Sequence, residues 1–463
     1  MATARSSLGY LTPYRRAVGA GIAMMVATNL CYLGVAKFLS FAVEALKDQR
    51  LDEVARDVGL MVVFAAATAI TRIASRVWIF NAARAAEYDL RSELFIHLMG
   101  LSPGYYRAHP TGDVMSRLTN DVQTVRAMWG AGAVHLANSV TSYATVLTMM
   151  IWIDPVVAAI SIVPYPLIFL VGRALSKRVY RTQREVQAEL GALSSRIQED
   201  LGAIQVIKTY GVEDVRRRGF LAASQRLLDK NMDAAKVRIQ LGPILNTLAP
   251  LSIAILIVAG GRAVVHGDMT VGEYTAFGLL LARLVWPTLT FGFMLALVQR
   301  GRASWARLAQ LKDTTTDLPD APGPAPAATA APARVEVTGL TVRYGDRAVL
   351  DGVSFALEPG TITAIVGRTG AGKSTLVEAL CRLIAVPRGT IQLDGRDLLD
   401  WPLADLRRQI GYAPQEAFLF STTIADNIAM GYGGGTAIPA ARARELERMG
   451  AAARAIDLSA EPK

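Results

Sequence analysis

Cysteine is nearly missing from this chain, with two residues in 463. A small fold held together by several disulfides is thereby excluded. Histidine is scarce as well. His97, His109, His135 and His266 are scattered, with none of the close spacing that metal ligands show. Charged residues are few at 19%, apolar ones reach 52%, and the mean hydropathy is +0.30. A disordered chain does not read so apolar, and an ordinary soluble domain rarely does. What remains is a membrane protein with a soluble part. At about 150 residues per domain, the length suggests about three domain-sized units.

The formal net charge is +10. Residues 334–463 hold 15 Lys and Arg against 15 Asp and Glu, so the whole excess lies in residues 1–333. A nucleic-acid binder carries its basic patch on a soluble domain. Here the excess lies between hydrophobic runs, so no nucleic-acid partner is expected.

Six long apolar stretches precede residue 300, near 18–43, 54–80, 127–153, 155–175, 241–265 and 274–298. Each has about 20 residues or more, enough to cross a hydrocarbon core of about 30 Å. The first follows Tyr14-Arg15-Arg16 and is too long for a signal-peptide core. Short connections alternate with two long polar ones. The segment 173–240 holds 14 Lys and Arg against 8 acidic residues, which places the long loops and both termini in the cytoplasm. In 178–207, Leu190, Leu193, Ile197, Leu201 and Ile204 form a helical stripe. Breakers at Ser102-Pro103-Gly104, His109-Pro110 and Tyr210-Gly211 divide each long loop into two helices joined by a turn.

Residues 313–333 read as a Pro/Ala-rich, semi-rigid linker. Short β-rich runs follow at Val335–Val342, Ala348–Leu357 and Thr361–Val366. The last expected strand leads into Gly367-Arg368-Thr369-Gly370-Ala371-Gly372-Lys373-Ser374, and a helical run Thr375–Leu383 follows. This spacing is that of a phosphate-binding loop. Its glycines let backbone N–H groups close around phosphate, and the helix N-terminus adds positive potential. Lys373 is expected to reach the outer phosphates, and Ser374 to hold Mg²⁺.

With this loop, the chain resembles a bacterial half-size ATP-binding cassette (ABC) exporter of the multidrug and lipid-flippase type. The resemblance covers roughly residues 10–455. It also rests on Tyr344 in Val342-Arg343-Tyr344, on Leu350-Asp351-Gly352-Val353-Ser354-Phe355, on Gln415 in Tyr412-Ala413-Pro414-Gln415, and on Phe418-Leu419-Phe420 through Ile428. In the membrane part it rests on Glu87-Tyr88-Asp89-Leu90-Arg91, Thr111-Gly112-Asp113 through Asn120-Asp121, and Trp286-Pro287. The resemblance implies that Tyr344 stacks on adenine. It implies that residues 367–375 (Thr375 included) bind ATP, and that Gln415 joins Ser374 at Mg²⁺. Coupling helices near Ser102–Pro110 and Tyr210–Glu213 would dock on nucleotide-binding domains.

The family's soluble domain continues with a Leu-Ser-Gly-Gly-Gln-like signature, an apolar strand ending in Asp, a catalytic Glu and a His. None follows Gln415 here, and the last histidine is His266. In the tail, Leu458-Ser459 is not followed by Gly-Gly-Gln. The expectation is a chain truncated before the signature, with no catalytic residue to assign, unpaired sheet edges and no ATP hydrolysis on its own.

Charged residues inside spans default to a functional reading. Lys37 lies roughly 30 Å along the first span from the inner face and is expected to snorkel to the outer interface. Arg72 and Arg76 share one helix face through their i,i+4 spacing. Arg283 lies about ten residues into the last span with no mid-span acid to pair with. All three are candidates to line a cavity that favours anionic or neutral amphiphiles. Cys31 and Cys381 are expected to be free thiols.

The expected architecture is an α-helical six-span membrane domain of ABC-exporter type over 1–312, a linker over 313–333, and a partial α/β P-loop nucleotide-binding domain over 334–463. The expected function is ATP-driven export of amphiphilic drugs or lipids across the bacterial inner membrane. ATP and Mg²⁺ are the cofactors, and a second half-transporter, identical or not, completes the dimer. The alternative is a non-catalytic membrane subunit or gene fragment that binds nucleotide without hydrolysing it.

Overall fold

The structure is a computed structural model that describes residues 7–318, 320–321, 333–415 and 418–429. The chain divides into two compact units: Met1–His97 with Gly112–Thr314, and Leu98–Thr111 with Thr315–Lys463. Most of the expected linker and the whole tail after Ala429, including Leu458-Ser459, lie outside the described residues.

The helices, in chain order, are α1 (Arg15–Lys47), α2 (Leu51–Met99), α3 (Pro103–Ala108), α4 (Thr111–Ile153), α5 (Pro155–Gly202), α6 (Ile204–Tyr210), α7 (Glu213–His266) and α8 (Val271–Asp313). All but α3 belong to the first unit. With 49 residues, α2 is about 73 Å long, more than twice the hydrocarbon thickness. The long polar connections of the sequence are therefore extensions of membrane helices. Among the described residues, five helices are long and apolar enough to cross a membrane: those ending at Lys47, Met99, Ile153, Gly202 and Asp313. The stretch expected as a fifth span at 241–265 appears as a shorter apolar piece of α7, Pro250–His266. Most side chains of 241–249 fall outside the description, so the full expected length of this stretch is not shown.

Local chemistry sets the helix ends. Asp154 Oδ1 accepts hydrogen bonds from the backbone N–H of Val156 and Val157, and Pro155 takes the first helical position. Thr270 and Glu273 form a reciprocal capping box that starts α8. Gly211 and Gly267, both left-handed, end α6 and α7. Lys37 Nζ lies 5.6 Å from the rings of both Phe41 and Trp152, two residues before the Asp154 turn. It therefore sits at a membrane-helix end, as snorkelling requires.

In lipid, helices associate through packing and polar ties more than through exclusion of water. Phe277, Leu280, Leu281 and Leu284 of α8 are fully buried with Val146, Met150, Val157 and Leu256. Away from this core, polar ties hold the helices. Glu87 accepts from Arg91 and Arg126 at 2.7 and 3.2 Å. Arg307 donates two hydrogen bonds to Asp121. Tyr10 lies between Trp129 and Trp305, bonded to Glu93 and Lys312. Two π-helical segments interrupt α4, at Arg117–Asp121 and Met128–Gly132. The widened turns coincide with Asp121 and Trp129, the residues tied to this network.

In the second unit, β1 (Val335–Tyr344) and β2 (Arg347–Leu357) form an antiparallel hairpin through Gly345-Asp346, with Gly345 at φ +59°. Two short strands, β3 (Ile391–Leu393) and β4 (Arg396–Asp397), extend the sheet in the order β2-β1-β3-β4. Helix α9 (Lys373–Leu380) covers it with Leu376 and Ala379, packed among Val337, Leu340, Leu350, Ile391 and Leu406. All strand pairs are antiparallel. This corrects the expected strand Thr361–Val366. Residues 361–368 form no ladder, and Ile362 and Val366 are exposed. Alternation gives a segment strand tendency, but a strand needs a neighbour to pair with. No described residue supplies one.

Candidate functional site

The loop expected to bind phosphate forms the turn before α9. Gly370 and Gly372 take left-handed conformations at φ +81° and +86°. A Cβ at Gly372 would come within 2.8 Å of the Val349 carbonyl oxygen and 2.9 Å of a Leu350 methyl, so β2 presses the loop into place. Gly372 stands at the N-cap and offers no side chain. The first N–H groups of α9 are thus left for an external acceptor. Lys373 Nζ donates to the carbonyl oxygens of Gly367 and Arg368 at 2.7 and 2.9 Å. These carbonyls accept the bonds that phosphate oxygens would take. Ser374 is exposed at the second position of α9. The loop fits a phosphate group with its metal ion.

Tyr344 closes the β1–β2 hairpin and is 45% exposed. The Arg107 guanidinium carbon lies 5.6 Å from its ring centroid. Arg107, on α3, also donates to Glu378 of α9 at 2.7 Å. Burial lowers the Arg107 pKa, but the bond and charge of Glu378 more than offset this, so it lies above its ordinary value. The expected coupling turn near Ser102–Pro110 thus forms a short helix joined by one arginine to both the base-stacking candidate and the phosphate-loop helix. Replacing Arg107 with Ala is expected to speed hydrogen exchange over Pro103–Ala108 by about 2- to 5-fold, the scale of a partly exposed ion pair. Unchanged exchange would show that the pair does not hold the helix.

Gln415 is exposed, in a segment without regular structure. No described contact joins it to Ser374, so the structure does not bring together the two expected Mg²⁺-side groups. Both cysteines are free, as expected. Burial pushes the Cys381 thiol pKa up, which disfavours the thiolate form.

In the first unit, the three arginines singled out in the sequence meet. Arg72 and Arg76 of α2 and Arg283 of α8 line one cavity of about 260 Å³, with Thr28 of α1, His135 and Asn138 of α4, and Trp286.

The family model for the ABC transporter transmembrane region matches residues 18–288, and the ABC transporter model matches residues 350–462. The chain belongs to the ABC transporter family. It is a half-transporter of the exporter type, a multi-pass membrane protein with one transmembrane region followed by an ATP-binding ABC ATPase part. It is similar to the multidrug resistance-like ATP-binding protein MdlA of Escherichia coli, 29% identical over 94% of this chain and 73% of that protein. It is 30% identical to the probable multidrug resistance ABC transporter YheI of Bacillus subtilis, over 89% of this chain and 71% of the relative. The ATP-dependent lipid A-core flippase of Syntrophus aciditrophicus is 27% identical over 74% of this chain and 57% of its own length.

Within this ABC transporter, sequence reasoning missed Arg107, His135 and Asn29, whose Oδ1 lies 3.5 Å from the Arg283 guanidinium. His135 reads as an isolated histidine, and Asn29 as one polar residue in an apolar run. Arg107 carries no local pattern at all. A search for polar residues at i,i+4 from the membrane arginines would not have found them, because they lie on other helices.

Proposed function

We propose that this ABC transporter couples ATP to the export of an amphiphilic drug or lipid, as the names of its relatives suggest for those proteins. The reading is carried by the glycine-shaped, uncapped start of α9 with Lys373 over it, in the same chain as a spanning-helix unit. In this reading, residues Gly367–Thr375 hold the nucleotide phosphates through backbone N–H groups and Lys373. Tyr344 stacks on the base. Ser374 and Gln415 hold Mg²⁺, whose charge offsets that building on the phosphates. Six spans cross the plasma membrane, with Pro250–His266 completing the fifth. Both termini and the nucleotide-binding part face the cytoplasm, and a second half-transporter, identical or not, pairs with this one. The domain limits are 1–312, 313–333 and 334–463.

Phosphoryl transfer needs a group that orients the attacking water. None of the residues assigned here does so, and the 463-residue polypeptide by itself is expected to bind nucleotide without turning it over. Proteoliposomes carrying this protein paired with a half-transporter that supplies the hydrolytic groups are expected to accumulate a fluorescent amphiphile when ATP and Mg²⁺ are supplied outside, and Lys373→Ala is expected to stop this. Uptake independent of ATP, or unaffected by Lys373→Ala, would overturn the export reading. A Lys373-dependent ATPase rate from the purified 463 residues would overturn the statement on turnover.

A further inference from the structure

We propose that the cavity bounded by α1, α2, α4 and α8 binds the anionic head group of an amphiphile, with Arg72, Arg76 and Arg283 as its counter-charges. This names the substrate class for the exporter reading above and rests on that reading.

The argument begins with charge placement. Arg283 lies twelve residues into α8, about 18 Å along the helix from its start. Arg72 lies fifteen residues after Asp57, the last acid before the apolar run of α2, or about 22 Å along that helix. Both depths fall within a hydrocarbon core of about 30 Å. Charged side chains at such depth persist where they face a cavity or a partner. Here they face a cavity, and no described residue lining it is Asp or Glu.

The neighbours of Arg283 do not neutralise it. Its guanidinium lies 4.5 Å from the Tyr32 ring and reaches Asn29 Oδ1 only at 3.5 Å. Asn29 is held in that orientation by donating to the Met25 carbonyl and the Thr141 hydroxyl, both at 3.0 Å. Arg283 Nε is buried and has no hydrogen-bond partner among the described residues. From α2, Arg72 and Arg76 line the same cavity as Arg283 and His135. Like charges gathered in a low-dielectric site, with one buried donor unused, form an arrangement that an anion completes. A cation would add to the repulsion, and a neutral ligand would leave the donors unpaired. Guanidinium groups bind phosphate, carboxylate or sulfonate through paired, charge-assisted hydrogen bonds.

Size limits the ligand further. Pockets for drug-sized ligands measure about 300–1,000 Å³. A cavity of about 260 Å³ suits a head group, with the apolar part of the ligand outside it. The apolar walls Met25, Val134 and Trp286 provide the transition.

The test is equilibrium binding to the full-length protein in nanodiscs without ATP. The probes are dodecyl phosphate, dodecyltrimethylammonium of equal chain length, and inorganic phosphate. Dodecyl phosphate is expected to bind at least about 10-fold more tightly than the other two, the worth of one charge-assisted hydrogen bond. Arg283→Gln is expected to remove that preference and Arg283→Lys to keep most of it, with both variants unfolding at the temperature of the parent. Equal binding of the ammonium probe, or a preference that survives Arg283→Gln, would overturn the proposal. Inorganic phosphate binding as tightly as dodecyl phosphate would overturn the amphiphile assignment. Lys373→Ala protein is expected to retain the preference, so a failure of ATP-driven transport and a failure of this site are read separately.

Discussion

Replacing Lys373 with Ala is expected to lower the ATP affinity of the full chain by about 100-fold, measured by titration with a fluorescent ATP analogue. The Nζ now donates two bonds to loop carbonyls at 2.7 and 2.9 Å. With nucleotide bound, the same donors would meet phosphate oxygens. A hydrogen bond to a charged group contributes about 1.5–3 kcal/mol, and about 2.7 kcal/mol corresponds to the stated loss. The rest of the cradle, the uncapped start of α9 and the two left-handed glycines, stays intact in the variant. Residual weak binding is therefore part of the expectation. An affinity within about twofold of the parent would remove Lys373 from the phosphate site.

The largest structural effect is expected at Gly272, in the first turn of α8. A Cβ added there would overlap the Ser40 carbonyl oxygen of α1, and its backbone N–H donates to Glu44 at 3.2 Å. The obstacle is backbone within a helix, so it cannot swing aside as a side-chain tip could. Gly272→Val is expected to cost about 3 kcal/mol or more and to lower the thermal midpoint in detergent by about 5–10 °C. Gly59, in α2, has nothing within 4 Å of an added Cβ. Gly59→Ala is the control, expected to raise stability by up to about 1 kcal/mol and not to lower it. A Gly272→Val midpoint within about 1 °C of the parent would show that α1 and α8 do not approach as closely as described.

The parts of the candidate sites that were legible in the sequence are those whose residues are neighbours in the chain. The phosphate loop, its lysine and its hydroxyl occupy eight consecutive positions, so their spacing alone carried the reading. Arg72 and Arg76 could be placed on one face because a helix repeats every 3.6 residues. Asp154-Pro155 announced a turn through a side chain that caps its own helix. In the strand expected at Thr361–Val366, the residues have β-like alternation, but a ladder is a property of two segments. The bond of Arg107 to Glu378 and its place over Tyr344 were equally illegible, since 271 residues separate the first pair.

By itself, the sequence determined that this is a membrane protein with long helices, a loop of phosphate-binding spacing and the make-up of an ABC exporter. Hydropathy, local spacing and capping are properties of contiguous residues, so they are present before the chain folds. Only the tertiary structure decided that Arg283 joins Arg72 and Arg76 around one cavity without a described carboxylate. It also decided that Gly272 must remain bare against Ser40, and that Arg107 reaches both Tyr344 and Glu378. Each depends on which helices and strands pack together. That choice is made by close approach and by the pairing of buried polar groups across segments far apart in the chain, and no local pattern encodes it.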